Sequence, residues 1–334
     1  MLRFLLLLPG GNRTEGLARM RRARAEGKLL QGEADYQLQI IYLWYEKRVD
    51  LAVGLLMSLR DRYPGNPLFT AQLADVQDRY LHDITASLAT WRELAAAARE
   101  QRVNEPGLAE AEARLGAARQ LEALHESDRA IAQLRGVIEA KAERPFGALG
   151  AAYLALGQGE DRLGYRDAAI AAYRQALGAI APDGPDPDDI RHRAADALRK
   201  TPDPTRAEAY RLSIEGLRTL EQHDAAGASA LFAHSLRLDP TDSVTRYRSA
   251  RALQAEKDEA GALDAFEAVI RDARACPAPI AAAAYLDAAR LHERLGQRQP
   301  AIDDYRAAST WFGGGADTRA AALAALNRLH VPSR

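Results

Sequence analysis

The seven histidines are the first residues to weigh for chemistry, because imidazole is both a common general base and a common metal ligand. They stand at positions 82, 125, 192, 223, 234, 292 and 330, and no two have the four-residue spacing that places two ligands on one helix face. The sequence also lacks a His-Glu-x-x-His motif, a P-loop and a dinucleotide-binding glycine fingerprint. We therefore expect no catalytic, cofactor-binding or metal-binding residue in this chain.

Two further features could carry chemistry, a single cysteine and an acidic run. Cys276 excludes an internal disulfide and a cysteine-based zinc site, and because it precedes Pro277 we interpret it as a small residue in a turn. The acidic run at residues 183–189 could hold Ca²⁺, but it lacks the EF-hand spacing and the distal glutamate, and prolines interrupt it. A solvated linker is the favoured interpretation of this run.

The charge of the chain is balanced, with 45 Lys+Arg against 46 Asp+Glu, so no overall field draws it towards nucleic acid or anionic lipid. The segment with Arg19, Arg21, Arg22, Arg24 and Lys28 is basic, which leaves contact with a membrane surface or a nucleic acid as an alternative. A solvated outer face is favoured, because no aromatic residues interleave with these charges for base stacking. No stretch approaches the ~18 apolar residues that span a bilayer, so we expect no integral membrane segment.

Composition indicates which elements must position any functional residue. The 334 residues include 69 Ala and 44 Leu but only 8 Val and 12 Ile. Ala and Leu are strong helix formers, whereas β-branched residues favour sheets, and no run is rich enough in Val and Ile for a parallel sheet. The composition predicts an all-α fold and disfavours enzymes built on Rossmann, TIM-barrel or hydrolase sheets.

A repeated pattern organises these helices: in four segments a small alanine is followed four residues later by an aromatic residue. Small residues are expected where two helix backbones approach closely, and aromatic rings where a gap must be filled. One such helix pair cannot bury its apolar face alone, so several pairs must stack. The four segments contain Ala169 and Tyr173, Ala228 and Phe232, Ala262 and Phe266, and Ala301 and Tyr305.

Ala228 and Ala262 are 34 residues apart, and 34 residues is the period of the tetratricopeptide repeat. In this register, the chain resembles the tetratricopeptide-repeat (TPR) superfamily over about residues 33–310. The resemblance implies an all-α, right-handed α-α superhelix, a TPR-like solenoid of about seven helix pairs. A break at residues 311–315 precedes a helix at residues 318–329, which we expect to cap the last repeat.

Proline-rich stretches divide the chain into three parts. We predict an N-terminal TPR-like sub-stack of degenerate repeats at residues 1–181, and a Pro/Asp-rich connector with a short helix at residues 182–204. A C-terminal TPR sub-stack with the capping helix follows at residues 205–334. Residues 190–199 have a helical pattern between prolines, which makes the connector the expected hinge.

The N-terminus has features of a secretory signal, with Arg3 before an apolar run at residues 4–8. Five apolar residues are fewer than the usual ~7–15, and no small-x-small cleavage site follows. Asn12 and Glu15 have the spacing of a capping box that begins the next helix. We interpret residues 1–8 as the last turns of a helix that begins upstream, and this uncapped apolar end is a candidate for self-association.

A narrower resemblance covers about the first 70 residues. Residues 2–17, 42–45 and 62–69 are similar to the middle of Iml2-type repeat proteins, which are all-helical and carry further repeats upstream. This resemblance supports N-terminal truncation and implies no chemistry. The compartment is open: cytoplasmic is the default expectation, and a periplasmic or membrane-associated location follows if a signal lies upstream.

In the TPR architecture, the resemblance implies that the first helix of each repeat lines a concave groove. Some members of the superfamily clamp a carboxylate there with Lys and Asn at the fifth and ninth positions of a repeat, and no repeat of this chain has that pair. Arginine and aromatic residues are the usual interface anchors. The groove positions that we predict to contact a partner are Trp44, Tyr45, Gln158, Arg162, Tyr247, Arg251, Arg290 and Arg294.

The sequence thus predicts a non-enzymatic scaffold or adaptor that binds a protein or peptide in this groove, without a cofactor and without nucleic acid. The alternative is a fragment of a larger exported or membrane-associated TPR protein involved in envelope assembly or trafficking. An enzyme with an unrecognised helical site is a third, disfavoured alternative.

Overall fold

The computed structural model describes residues 12–27, 30–181 and 184–330, and within these ranges the chain is helical and contains no β-strand. Short 3₁₀ helices at Pro187–Asp189 and Ala273–Ala275 precede α10 and α15. The α-helices of the described ranges are α1 Arg13–Glu26, α2 Gln31–Trp44, α3 Val49–Arg62, α4 Pro67–Arg79, α5 Ile84–Arg99, α6 Pro106–Ala123, α7 Ser127–Glu139, α8 Ala148–Arg162, α9 Arg166–Gly178, α10 Ile190–Arg199, α11 Pro204–Glu221, α12 Ala225–Leu238, α13 Ser243–Ala255, α14 Glu259–Arg271, α15 Ala278–Arg294, α16 Arg298–Thr310 and α17 Ala316–Arg328.

Fourteen of these helices pack as consecutive pairs joined by short turns: α2–α3, α4–α5, α6–α7, α8–α9, α11–α12, α13–α14 and α15–α16. These seven pairs confirm the predicted all-α superhelix of helix pairs. The last helix, α17, packs on α16 and α15 and occupies the place predicted for the capping helix. The helix expected in the connector is present as α10, which packs on α9 and α8.

Helix starts follow the capping chemistry that the sequence indicates. The Asn12 side chain accepts a hydrogen bond from the Glu15 backbone N–H at 3.1 Å, which confirms the predicted cap of α1. Asp83, Asp224 and Asp258 cap the second helices of their pairs in the same way. The helical turns predicted at residues 1–8, and with them the self-association that they could mediate, lie outside the described residues.

The repeat register determines the core. The four signature alanines at positions 169, 228, 262 and 301 are fully buried, and the aromatic residues four positions later are at most 1% exposed. At Gly157, a Cβ atom would lie 2.5 Å from the Tyr173 ring, and at Gly216 one would lie 2.6 Å from the Phe232 ring. At these two positions the aromatic residue of the second helix leaves no room for a side chain on the first helix.

In each of the seven pairs, the turn between the two helices contains one residue with positive φ. Helices commonly end at a residue in this left-handed conformation. Only two of these residues are glycines, and three are histidines, so nearly half of the histidines occupy structural turn positions. The seven residues are Lys47, His82, His125, Gly164, His223, Lys257 and Gly296.

We call α1–α9 the first group and α11–α17 the second group for description; the helices of the second group lie along the pair turns of the first. Arg211 of α11 donates to the Leu163 carbonyl oxygen at 2.7 Å, in the α8–α9 turn. The Phe312 ring, which follows α16, lies 5.4 Å from the His82 ring in the α4–α5 turn. In an extended row of repeats each repeat contacts only its neighbours, so the contact between Phe312 and His82 shows that the row is folded on itself.

Arg248 of α13 is a deeply buried link between the two groups. Its guanidinium donates to the carbonyl oxygens of Leu124 and His125 at 3.2 and 2.9 Å, and to Ser213 Oγ at 2.9 Å. The residue is 6% exposed, and burial lowers the pKa of its guanidinium. The sub-stack boundaries and the hinge remain predictions, and any hinge motion would have to break these bonds.

Candidate functional site

A concave cavity of about 430 Å³ runs across successive pairs of the first group, and we call it the first groove. Helices α6 and α8 contribute most of its wall, α4 contributes Asp75, and α10 closes one end. Leu115, Leu154 and Ile190 give the groove an apolar floor. Polar side chains surround this floor, so the groove has the composition of a small-ligand or peptide site.

Two of the predicted groove residues, Gln158 and Arg162, line this cavity, and both are exposed. Arg162 makes an ion pair with the Glu122 carboxylate. Its guanidinium also lies 5.9 Å from the centre of the Tyr210 ring, where a cation–π interaction is favourable. Arg162 is therefore held by the protein itself, whereas the Gln158 amide has no hydrogen bond to the part of the chain that is described.

Six charged residues that line the first groove were absent from the predicted site: Asp75, Glu112, Arg119, Glu122, Asp188 and Arg193. Arg119 Nη2 lies 3.4 Å from Asp75 Oδ1, which joins α6 to α4. Burial raises the pKa of the Glu112 carboxyl, and the nearby Asp75 carboxylate raises it further, whereas Arg119 lowers it. The degenerate register of this repeat gave no signal for Asp75, Glu112 and Arg119, because their proximity depends on the packing of α4 on α6.

Trp91 of α5 also lines the first groove, although its side chain is only 1% exposed. The indole ring packs directly on α6 at Gly116. A Cβ atom at this glycine would lie only 2.3 Å from the ring. Its Nε1–H has no hydrogen-bond partner among the described residues. The groove thus contains one buried donor that the protein leaves unpaired, and leaving such a group unpaired costs about 1–3 kcal/mol.

A second cavity of about 490 Å³, the second groove, lies between α15, α16 and α17. The predicted residues Arg290 and Arg294 line it. Arg290 Nη1 donates to Asp287 Oδ1 at 3.1 Å, and Arg294 Nε lies 2.9 Å from Glu259 Oε1. Both arginines are half-exposed at these pairs, so the positions are accessible but their charges are already balanced.

Tyr247, predicted to be an exposed groove residue, is only 8% exposed, which corrects that expectation. Its ring packs 5.8 Å from the Phe266 ring, and its hydroxyl lies 3.1 Å from Asp287 Oδ2. Burial and the Asp287 charge raise the pKa of the phenol. The neighbouring Arg251 is exposed as predicted, with Nη1 3.4 Å from the Tyr247 hydroxyl.

Trp44 and Tyr45, at the end of α2, line neither groove; they are 58% and 68% exposed. Arg13 of α1 reaches the same turn, where its Nε lies 2.8 Å from Glu46 Oε1. The structure therefore distributes the predicted residues over separate places instead of one continuous groove: Gln158 and Arg162 in the first groove, Arg290 and Arg294 in the second, and Trp44 and Tyr45 at the end of α2.

The basic residues of α1 are largely engaged within the protein. Arg24 Nε donates to Asp35 Oδ1 at 2.5 Å, and Asp35 is fully buried. Arg21 Nε donates to the Tyr42 hydroxyl at 2.9 Å. These contacts support the interpretation of α1 as an ordinary outer helix; Lys28 lies outside the described residues.

A polar network fills the junction between the two helix groups, beside a cavity of about 690 Å³. Ser127 Oγ donates to Glu122 Oε2 at 2.8 Å and lies 2.8 Å from the Tyr210 hydroxyl. His125 Nδ1 is unpaired and lies 3.8 Å from Asp242 Oδ1, and burial lowers the pKa of this imidazole. No hydrogen bond joins the histidine to the serine, so this part of the described chain shows no Ser-His nucleophile pair.

The described residues offer no other evident site for chemistry. They contain no group of three or more His, Cys, Asp or Glu that could hold a metal ion. Cys276 is buried between α14 and α15, and burial raises the pKa of its thiol to about 11, which disfavours the reactive thiolate. None of the described helices combines the length and the apolar character that crossing a bilayer requires.

Comparison with known proteins supports the repeat. The family model described as Tetratricopeptide repeat matches residues 150–182, which confirms the resemblance to this superfamily in the segment that holds α8 and α9. A search of curated proteins gave no match to the sequence.

Several solved structures resemble the chain at low sequence identity. The complex of the TPR2AB domain of yeast Sti1 with pHSP90 has 14% identity and a TM-score of 0.31, over 94% of this chain and 97% of that one. A tetratricopeptide repeat protein from Parabacteroides merdae has 14% identity and a TM-score of 0.37, over 87% and 98%. The TPR domain of P58(IPK) has 13% identity and a TM-score of 0.34, over 95% and 93%.

Proposed function

We propose that this chain, which carries a tetratricopeptide repeat at residues 150–182, is a non-enzymatic interaction scaffold that binds a peptide or partner helix in its first groove. The observation that carries the proposal is the 430 Å³ cavity across α4, α6 and α8, into which the repeat register places Gln158 and Arg162. Its volume lies within the roughly 300–1,000 Å³ typical of ligand sites.

The chemistry of the cavity favours a protein ligand. An apolar floor can bury a ligand side chain, and the polar groups around it can orient a peptide backbone. Arg13, Arg21 and Arg24 of α1 are engaged with Glu46, Tyr42 and Asp35, and the exposed Arg19 and Arg22 lie beside Glu15 and Glu26 of the same helix. We therefore favour a peptide over a nucleic acid.

The other predicted contacts remain proposals of the same kind. Arg290 and Arg294 belong to the second groove, with Arg251 near it, whereas Trp44 and Tyr45 form a separate exposed aromatic surface. A partner long enough to reach these sites would gain affinity through additional contacts.

The test begins with peptides selected from a phage-displayed random library on the full chain, with affinity measured by fluorescence anisotropy. In the Gln158→Trp variant, the bulky indole fills part of the cavity, and we expect affinity to fall at least about tenfold. The matched control is Gln175→Trp, because Gln175 is exposed on the outer helix α9. This control should bind like the unaltered chain.

Two outcomes would contradict the proposal. If the selection yields no binding peptide, the first groove is not a peptide site. If the selected peptides bind both variants with equal affinity, binding takes place elsewhere on the surface.

A further inference from the structure

We propose that the first groove recognises a basic residue of its peptide ligand, and that the Glu112 carboxylate supplies the counter-charge for the Lys or Arg side chain. This inference rests on the proposed function and specifies the ligand of the same site. It starts from the charge that the protein leaves without a partner in this groove.

Glu112 differs from the other carboxylates that α4 and α6 contribute to the groove. Asp75 has Arg119 as its partner at 3.4 Å, and Glu122 has Arg162. Glu112 is only partly exposed, and no hydrogen bond or ion pair joins it to the residues that the structure describes. It is therefore the groove carboxylate on these helices that a ligand could pair with.

Two electrostatic effects disfavour the ionised form of Glu112 when no ligand is bound. Burial removes water from it, the Asp75 charge repels it, and both effects raise the pKa of Glu112. The charge of a ligand cation beside the carboxylate would offset both effects, since an opposite charge stabilises the ionised form. When a cationic ligand neutralises a carboxylate whose ionised form is disfavoured in this way, the relief of that unfavourable energy contributes to binding.

The charge balance argues against an acidic ligand. Arg119 and Arg162 are already engaged with Asp75 and Glu122, and an acidic group would have to displace those carboxylates. Arg193, at the α10 end, donates to the Asp188 backbone carbonyl oxygen at 3.4 Å. The middle of the groove, on α6, therefore presents a net negative charge.

A second unpaired group lies one helical turn along α6. Gly116 follows Glu112 by four residues and shares its helix face. Trp91, whose buried Nε1–H has no partner among the described residues, packs on Gly116 and lines the same cavity. The Glu112 carboxylate and this buried indole thus lie about one helical turn apart in the wall of the same cavity.

The experiment uses the peptides selected on the full chain and replaces each basic residue with a neutral analogue. Arginine becomes citrulline, which keeps the shape, and lysine becomes norleucine. We expect this change to weaken binding to the unaltered chain about tenfold, and to have little effect on binding to Glu112→Gln, as in a double-mutant cycle. Glu143→Gln is the matched control, because Glu143 is exposed in the turn between α7 and α8; it should retain the full tenfold effect.

Circular dichroism of both Gln variants verifies that they are folded, and the near-isosteric change leaves the packing intact. If peptides lose binding to Gln158→Trp but do not need a basic residue, this inference is wrong and the proposed function stands. The inference is equally wrong if the neutral analogue weakens binding to the unaltered chain and to Glu112→Gln by the same factor. Peptides that bind Gln158→Trp normally would overturn both proposals.

Discussion

At the scale of single residues, one buried carboxylate has cationic partners and another, partly buried, has none among the described residues. Asp35 is fully buried, but Arg24 and Arg62 lie 2.5 and 3.3 Å from its two carboxylate oxygens. This paired charge fastens α1 and α3 to α2, and removing one partner would leave a charge without compensation. Glu112 has no such partner, so its ionisation opposes folding instead of supporting it.

We predict that Glu112→Gln raises the midpoint of thermal unfolding at pH 7. The pKa of Glu112 is higher in the folded chain than in the unfolded chain, so the folded state binds more protons, and stability falls as pH rises through the window above the unfolded value of about 4.3. Below that window the carboxyl is protonated in both states, and the difference between the two proteins should disappear. Thermal melts from pH 3.5 to 8 measure this difference.

Glu143→Gln serves as the control for the loss of one negative charge, and its melting curve should follow that of the unaltered chain at each pH. A Glu112→Gln protein that is less stable than the unaltered chain at pH 7 would mean that the carboxylate has a stabilising partner.

At the scale of elements, the fold depends on a few positions where helix backbones approach closely. The Tyr173 ring occupies the space over Gly157, and its hydroxyl donates to Asp161 Oδ2 at 2.8 Å, so the ring cannot move away freely. Elsewhere a helical glycine has no such role: Gly54, on α3, is exposed and has nothing near its missing side chain.

We predict opposite effects for alanine at these two glycines. Gly157→Ala should destabilise the protein by about 1–3 kcal/mol, because the new methyl group overpacks against the Tyr173 ring. Gly54→Ala should stabilise it by about 0.5–1 kcal/mol, because it removes backbone freedom from the unfolded chain without a clash. Urea unfolding followed by circular dichroism gives both values, and effects of the same sign would refute the close approach of α8 and α9.

At the scale of the whole molecule, the decisive feature is the docking of α11–α17 on the turns of α1–α9. Side chains of the second group bind backbone carbonyl oxygens at the ends of first-group helices, where Arg211 caps α8 and Arg248 caps α6. At Gly313, a Cβ atom would lie 2.6 Å from the His82 carbonyl oxygen. The second group is therefore also in close contact with the α4–α5 turn of the first group.

We predict that Arg248→Met loosens this docking. The methionine fills space but donates no hydrogen bond, so the Leu124 and His125 carbonyl oxygens lose their partner at a cost of about 1–3 kcal/mol each. Small-angle X-ray scattering should show a larger radius of gyration, and hydrogen exchange should accelerate around residues 124–126.

Arg237→Met is the control, because Arg237 is exposed on α12 and the described chain gives it no ion pair. An unchanged radius and unchanged exchange in Arg248→Met would show that the two groups dock without this residue.

The core positions of the repeats were predictable from sequence, whereas the exposure of groove positions was not. The alanine and aromatic register placed Ala169, Tyr173 and their equivalents correctly in the core, because helical periodicity is local and each pair repeats it. The same register misplaced Tyr247, which is buried against Phe266 and Asp287. A position on a helix face can be inferred from sequence, but whether the next helix covers it depends on the angle between them.

The sequence by itself determined the helical class, the helix pairs and the cap of α1, since these depend on propensity, spacing and contacts within a few residues. Only the tertiary structure decided that the row of repeats folds back, because Arg248 binds backbone carbonyl oxygens, which every residue possesses and no pattern marks. It alone also decided that Glu112 is unpaired. Arg119, the nearby cation on α6, pairs with Asp75 on another helix, and such a choice of partner is made only when the helices pack.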